Sequence, residues 1–186
     1  MQDPEEPPLL TESEYRRRRA HKLFKAELDL EKHVVKCGKK TQGKLRTHVL
    51  AAGLLYGGGE SLLHPLFRLA WELQAPALPV YGGGQNRLPL LHRDDLCQAL
   101  LVLLEATERE VEAPRYVVAV DEGRHTLQEV VGCLATKLGT QATAPAPWEA
   151  ALAEPGVEAR HMAMLQLDQH FEQGALAEWE FEVSGQ

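Results

Sequence analysis

Apolar residues along the chain recur in two patterns, one typical of helices and one typical of buried strands. Helical spacing predicts four helices, over about 21–37, 61–73, 96–104 and 126–138. The first helix has its apolar stripe at these positions: Leu23, Leu30, Val34 and Cys37, with Phe24, Leu28 and Val35 beside it. A shorter helical region is predicted over 148–171.

Three apolar runs lack polar alternation and predict strands, over 47–56, 78–81 and 115–120. Such runs suit parallel strands that are covered on both faces. Strand, glycine or polar turn, and helix follow one another, which is the pattern of an α/β fold with three or four strands. Residues 140–147 are rich in alanine and proline and predict a linker. Residues 177–183 alternate glutamate with apolar side chains, which predicts a short strand with one exposed face.

A length of 186 residues predicts one domain with one core. Its expected parts are an extended or disordered leader over 1–14, an α/β module over 15–140, and a C-terminal helical region with a short strand over 141–186. The leader lacks the basic and apolar segments of a signal peptide. No apolar run approaches the roughly 20 residues that cross a bilayer. We therefore expect a soluble, intracellular protein with no membrane partner.

Two glycine triplets invite comparison with phosphate-binding loops. The second, Gly82, Gly83 and Gly84, follows a predicted strand, as does the first over 57–59. Neither is followed by the lysine and hydroxyl of a P-loop, and neither completes the G-x-G-x-x-G fingerprint of dinucleotide sites. A plain turn is the favoured interpretation of both triplets.

The next polar segment, H-R-D-D, places His92 near Asp94 and Asp95 at a helix start. An imidazole near carboxylates suits a general base, but no nucleophile accompanies it, so a role in ordering the loop is favoured. Asp94 or Asp95 is expected to cap the helix. Thr126 and Glu129 have the T-x-x-E spacing of a capping box.

The charge distribution limits the partners. A net charge of -7 disfavours nucleic acid as a partner of this chain, since proteins that bind nucleic acid usually present a basic face to phosphate. Arg16, Arg17, Arg18 and Arg19 form a local basic run. This run is a candidate contact for an acidic partner, although a solvated helix start is the favoured interpretation. Scattered cysteines and histidines, without metal spacing, predict reduced thiols and no metal site.

The order of these motifs resembles the C-terminal half of the extended short-chain dehydrogenases, the NAD-dependent epimerase/dehydratase family. In that family a Y-x-x-x-K helix precedes a strand ending R-P-x-N-x-Y-G, a G-x-G loop, an R-D-F-x-H-V-x-D segment and a T-x-x-E helix. Here the corresponding segments read LFKAELDLEK, AAGLLYG, GGGQNRLPLLHRDD and TLQE, between about Leu23 and Gly139. The resemblance implies a partial Rossmann-like α/β fold, with a small, mostly parallel sheet and flanking helices.

The same alignment implies that the family's catalytic groups are missing. Its tyrosine falls at Leu23 and its lysine at Glu27, while Lys25 is out of register. The arginine and asparagine of the next strand fall at Ala51 and Leu54. The R-D-F triad is replaced by Leu88, Pro89 and Leu90, and the residues that persist are Tyr56, Gly57, His92 and Asp95.

A closer resemblance concerns LEKHVVKCGK, VLAAGLLYGGG and YVVAVDEGRHTLQEVV, which are very like a dehydrogenase-like portion of a ciliary member of the adenylate kinase family. It implies a non-catalytic structural component of the ciliary or flagellar axoneme, in the cytoplasm, with other axonemal proteins as partners. No cofactor and no small-molecule substrate are expected. Two alternatives stay open: an NAD-dependent epimerase or reductase that recruits Tyr56, His92 or Lys25, and the regulatory half of an adenylate kinase whose kinase domain lies outside this chain.

Overall fold

A computed structural model describes most of the chain: residues 10–42, 44–59, 62–73, 76–108, 114–138, 142–152, 157–169, 171 and 174–178. The helices are α1 Lys25–Lys40, α2 His64–Trp71, α3 Arg93–Glu108, α4 Leu127–Leu138, α5 Trp148–Ala151, α6 Ala159–Gln166 and α7 Ala175–Glu178. The strands are β1 Val49–Ala52, β2 Leu54–Tyr56, β3 Leu78–Tyr81, β4 Leu90–His92, β5 Tyr116–Ala119 and β6 Thr143–Ala146. Short 3-10 turns cover Glu12–Glu14 and Lys22–Phe24.

The predicted α/β class, with small parallel sheets and flanking helices, is confirmed. The chain divides into two compact units. The first contains Leu54–Leu90 and Glu122–His170, and the second contains Leu9–Gly53, Leu91–Asp121 and Phe171–Gln186. Each unit has its own parallel strand pair and its own buried cluster.

In the first unit, β3 and β6 run parallel, with Leu78 opposite Thr143 and Tyr81 opposite Ala146. Helices α2 and α4 pack against β3. The core of this unit consists mainly of leucine, valine and alanine side chains, with Tyr81 and Met162 among them, and all have relative exposures below a tenth. Among its largest fully buried members are Leu78, Leu88, Leu127 and Val131.

In the second unit, β1 and β5 run parallel, from the pair Val49 and Tyr116 to the pair Ala52 and Ala119. Every residue of β5 is buried, whereas β1 is only half-buried and ends on an exposed residue. The expectation that the first strand is covered on both faces is therefore wrong for β1.

The single strand predicted over 47–56 is two strands, divided at Gly53. The N–H of Gly53 still donates to the carbonyl of Ala119, at 2.8 Å, and so extends the ladder between β1 and β5. The next N–H, of Leu54, donates instead to the carbonyl of Pro89, at 2.6 Å. The backbone changes hydrogen-bonding partner at this point, which a continuous apolar pattern does not reveal.

The predicted linker over 140–147 contains β6. Proline cannot donate to a sheet ladder and is normally confined to edge positions, so the proline content argued against a strand. Here Pro145 lies opposite Val80 in the pair with β3, and Ala142 and Ala146 accept hydrogen bonds from Leu78 and Gly82. At the two ends of this pair the accepting carbonyls belong to the segment 142–146, so the prolines there do not have to donate these bonds.

Helix α1 buries a narrower face than its apolar spacing predicts. Leu23 and Leu30 are 43% and 64% exposed, while Val35 and Gly38 are buried. The stripe was therefore wrong in its outer members. A strand is predicted over 177–183, but residues 177 and 178 are the last two residues of α7 and are helical. Residues 179–183 lie outside the described ranges.

The N-terminal segment is tied to β5 through Glu12. One carboxylate oxygen of Glu12 accepts the N–H of Val118, at 2.8 Å, and the other accepts the N–H of Ala175, at 3.0 Å. Leu10 forms a parallel bridge with Phe171. Of the predicted leader, residues 1–9 lie outside the described ranges, and the described residues 10–14 are held by these bonds.

We predict that Glu12→Ala lowers the free energy of unfolding by about 2–3 kcal/mol, because two backbone N–H groups lose a charged acceptor. Urea denaturation followed by circular dichroism measures the change. Glu14→Ala is the matched control, since it removes only the exposed ion pair with Arg17. Equal losses in the two variants would contradict this role for Glu12.

Candidate functional site

The loop after β3 turns on glycine. Gly82, Gly83 and Gly84 have φ angles of +61°, +86° and +70°, a region that side chains with a Cβ rarely adopt. A Cβ on Gly82 would clash with the indole Nε1 of Trp148, and that ring stacks on Tyr81 with centroids 5.8 Å apart. The side of the loop at Gly82 is thus occupied by Trp148.

The N-terminus of α4, which follows this loop in space, has its first N–H groups in use. Those of Leu127 and Gln128 donate to the carbonyls of Asn86 and Gly84, at 3.0 and 2.9 Å. The N–H of Glu129 donates to Thr126 Oγ1 at 3.2 Å, and a carboxylate oxygen of Glu129 accepts the N–H of Thr126 at 2.8 Å. These are the two reciprocal bonds of a capping box. The backbone N–H groups that a phosphate would need at this helix start already donate to groups of the protein. This favours the interpretation of the glycine triplet as a turn.

The H-R-D-D segment lies in the second unit, at the start of α3. The helix begins at Arg93, so the expectation that Asp94 or Asp95 caps it is wrong, and both lie in its first turn. His92 precedes the helix instead, and its Nδ1 accepts the N–H of Asp94 at 3.3 Å. The N–H of His92 donates to Asp121 at 3.3 Å, and Asp95 is fully buried. The imidazole therefore orders the helix start.

The positions that correspond to the family's R-D-F triad are apolar and packed. Leu88 is 1% exposed and Leu90 is 8% exposed, and both belong to the core of the first unit. Leu23, in the 3-10 turn before α1, is 43% exposed, and Glu27 lies in the first turn of α1. None of these positions carries the polar side chain that the family's motif has there.

The arginine run separates into different environments. Arg17 is exposed beside Glu14, with 3.6 Å between charged atoms, and Arg19 is exposed as well. Arg16 donates to the hydroxyl of Tyr15 at 3.0 Å. Arg18 alone turns inward and is only half-buried.

Arg18 joins α1 to β5. Its guanidinium lies 4.3 Å from the centroid of the Tyr116 ring and pairs with Glu31 at 2.5 Å. The ring of Tyr15 stacks on Tyr116 with centroids 5.1 Å apart and planes 5° from parallel. Burial raises the pKa of Tyr116 to about 12 from an ordinary value of 10.0; Arg18 opposes this rise and Glu31 adds to it.

An open groove of about 290 Å³ runs beside this stack, between the N-terminal segment and α1. Leu28 and Val35 supply apolar lining, and Lys32, Lys36 and Lys39 supply cationic groups. Sequence reasoning singled out the arginines but missed the groove. The available signal was the spacing of those lysines, four and three residues apart on one helix face.

Neither a cluster of metal ligands nor a membrane-spanning helix is found in the part of the chain that the structure describes. There, no group of three or more histidine, cysteine or acidic side chains is arranged to hold a metal ion. None of the described helices is both long and apolar enough to span a bilayer.

Solved structures place the chain in a class of fold. A dTDP-glucose 4,6-dehydratase from Streptomyces venezuelae, with NAD and TYD bound, superposes with a TM-score of 0.65 at 19% identity over 97% of this chain and 51% of its own. A UDP-glucuronic acid 4-epimerase from Bacillus cereus, in complex with NAD, gives 0.65 at 12% identity over 98% of this chain and 53% of its own. The fold is that of the Rossmann-like epimerases and dehydratases, and the chain spans about half of each neighbour.

Sequence comparison is more specific. The chain is similar to adenylate kinase 7 from Mus musculus, with 40% identity over 129 residues, and from Macaca fascicularis, with 42% identity over 112 residues. These alignments cover 69% and 60% of this chain but only 20% of each relative. No protein-family model matches the chain. The predicted resemblance to a dehydrogenase-like portion of an adenylate kinase is confirmed.

We predict that the phenol of Tyr116 makes stability fall at alkaline pH. Its pKa is higher in the folded state, so its contribution is complete below pH 10.0 and is lost as pH rises through about 12. Tyr116→Phe should flatten the fall in unfolding free energy across this window, measured by urea denaturation at a series of pH values. Tyr15→Phe is the control, since it removes a less buried phenol from the same stack. An unchanged slope in Tyr116→Phe would contradict the assignment.

Proposed function

We propose that the chain is a non-catalytic, protein-binding module with a dehydrogenase-derived fold, and that it is a structural component of the ciliary or flagellar axoneme. Its partners are other axonemal proteins, and it uses no cofactor and no small-molecule substrate. The axonemal assignment rests on the similarity to adenylate kinase 7.

The observation that carries the binding role is an apolar stripe on the exposed side of α3. Leu100, Leu101 and Leu104 are 45%, 53% and 61% exposed, and Cys97 lies one turn before them. The opposite side of the helix is buried at other residues: Asp95, Ala99, Leu103 and Ala106. A contiguous exposed apolar stripe is typical of a surface that another protein covers.

The lengths of the neighbours support the same interpretation. About half of each solved neighbour has no counterpart in these residues. We infer that the α3 stripe is covered by polypeptide outside this sequence, whether from a partner or from further residues of the same protein. Crosslinking mass spectrometry in intact cilia would identify the neighbouring protein and the face it contacts.

The positions of the family's catalytic pair support the non-catalytic role. Leu23 cannot donate a proton, and Glu27 places a carboxylate where an ammonium would lower the pKa of the catalytic phenol. Lys25 lies nearby on α1 but two residues away from Glu27. Side chains separated in this way point in different directions on a helix.

A test of the surface uses the double variant Leu101→Glu with Leu104→Glu. We expect the purified chain to bind a hydrophobic dye and to self-associate with concentration, and the variant to lose both properties. Its unfolding free energy should stay within about 0.5 kcal/mol, since both residues are exposed. Leu103→Glu is the contrasting control, because a charge at a buried position unfolds the protein. A monomeric parent chain without dye binding would refute the surface.

A test of the non-catalytic role is titration with NADH and NADPH. We expect no shift in thermal unfolding at millimolar nucleotide. Micromolar affinity would instead stabilise the fold by about 4 kcal/mol at that concentration, and would favour an epimerase or reductase with an altered site.

A second candidate function is supported by the identity of the relatives. Adenylate kinase 7 is about five times longer than the aligned segment, since the alignment covers 20% of it. The chain would then be a regulatory portion of an adenylate kinase. Adding the purified chain to an adenylate kinase 7 lacking the matching segment should change its kinase activity if this alternative holds, and leave it unchanged if the scaffold role holds.

A further inference from the structure

The groove beside the stacked tyrosines, here called the tyrosine groove, combines an apolar lining with cationic groups. Tyr15, Tyr116, Leu28 and Val35 form the lining, and Lys36 and Lys39 stand on α1 at its edge. Its volume of about 290 Å³ and its open form suit an elongated segment better than an enclosed small molecule.

The charge of the tyrosine groove is opposite to that of the chain. Arg18 and Glu31 neutralise each other as a pair, and Lys32 lies 3.5 Å from Asp29. Lys36 and Lys39 are exposed, and neither has an ion-pair partner among the residues that the structure describes. A protein of net charge -7 therefore presents a local cationic row next to an apolar lining.

The spacing of the lysines limits what this row can bind. With a rise of 1.5 Å per residue, Lys32, Lys36 and Lys39 extend over about 10 Å along one face of α1. Side chains on the same side of an extended peptide recur about every 6.6 Å. Lys36 and Lys39 are about 4.5 Å apart along the helix axis, and their flexible side chains can spread to meet two acidic side chains at alternate positions of such a peptide. The side chain between those two acidic residues points to the opposite side of the peptide.

We propose that the tyrosine groove binds an extended acidic segment of a partner protein, with carboxylates at alternate positions and apolar residues between them. The carboxylates pair with Lys36 and Lys39, and an apolar side chain contacts Leu28 and Val35. This inference rests on the proposed protein-binding function and identifies a second contact surface, distinct in residues from the α3 stripe.

The test uses the full 186-residue chain and a short fluorescent peptide of alternating glutamate and valine, with binding followed by fluorescence anisotropy. The acidic peptide should bind, and binding should weaken steadily with salt, because the Debye length falls from about 10 Å at 0.1 M to about 3 Å at 1 M. A peptide of alternating lysine and valine should not bind.

Charge reversal locates the surface. Lys36→Glu and Lys39→Glu should each weaken binding roughly tenfold, since each replaces an attraction with a repulsion. Lys40→Glu is the matched control, because Lys40 shares the last turn of α1 with Lys39 but does not line the groove. It should change affinity by less than about twofold.

Three results would overturn the inference. The first is no binding of the acidic peptide, and the second is an equal loss of affinity in Lys39→Glu and Lys40→Glu. The third is binding of a single-stranded oligonucleotide through the same lysines at least as tightly as the peptide. Each would leave the proposed function standing if NADH still fails to stabilise the chain. Stabilisation by NADH would instead overturn the proposed function, whatever the peptide does.

Discussion

The carboxylate of Glu12 holds together three parts of the second unit that are far apart in sequence. A parallel strand that pairs on one side has backbone donors on the other, and Glu12 accepts one of these from Val118. Its second oxygen accepts the N–H of Ala175, so one side chain joins the N-terminal segment, β5 and the start of α7. Three residues later Tyr15 lies on Tyr116, and after three more Arg18 reaches the same ring. The tyrosine groove follows from this anchoring.

This arrangement changes where a protein partner can act. An incomplete sheet first suggests that the partner adds a strand at the open edge. At Val118, however, the edge of β5 is already occupied by the chain itself. Two exposed helix surfaces differ from such an edge: the apolar stripe of α3 and the lysine row of α1. Helix faces provide side-chain pockets and charges rather than backbone ladders, so they select a partner by its side chains.

Much of the fold could be predicted because periodicity reports burial. The helices α1 to α4 and the strand β5 follow from spacing that reflects one buried face or two. The strand β6 could not be predicted, since its residues carry no strand pattern and it pairs with β3, which is distant in sequence. The break at Gly53 depends on hydrogen-bond partners that are distant in sequence. The capping by His92 depends on the residue at which α3 begins. The groove depends on Tyr116, which is far along the chain from Tyr15.

The glycine loop shows that backbone architecture and side-chain chemistry have different requirements. Its positive φ angles and the bonds to the start of α4 need only glycines and a capping box, so the backbone of this loop is held by bonds within the protein. The neighbouring positions Leu88 and Leu90 have become core. An arginine at Leu88 would bury an unpaired charge, at a cost of several kcal/mol. A polar site at that place therefore requires several coordinated substitutions, because the packing of the first unit now depends on its apolar character.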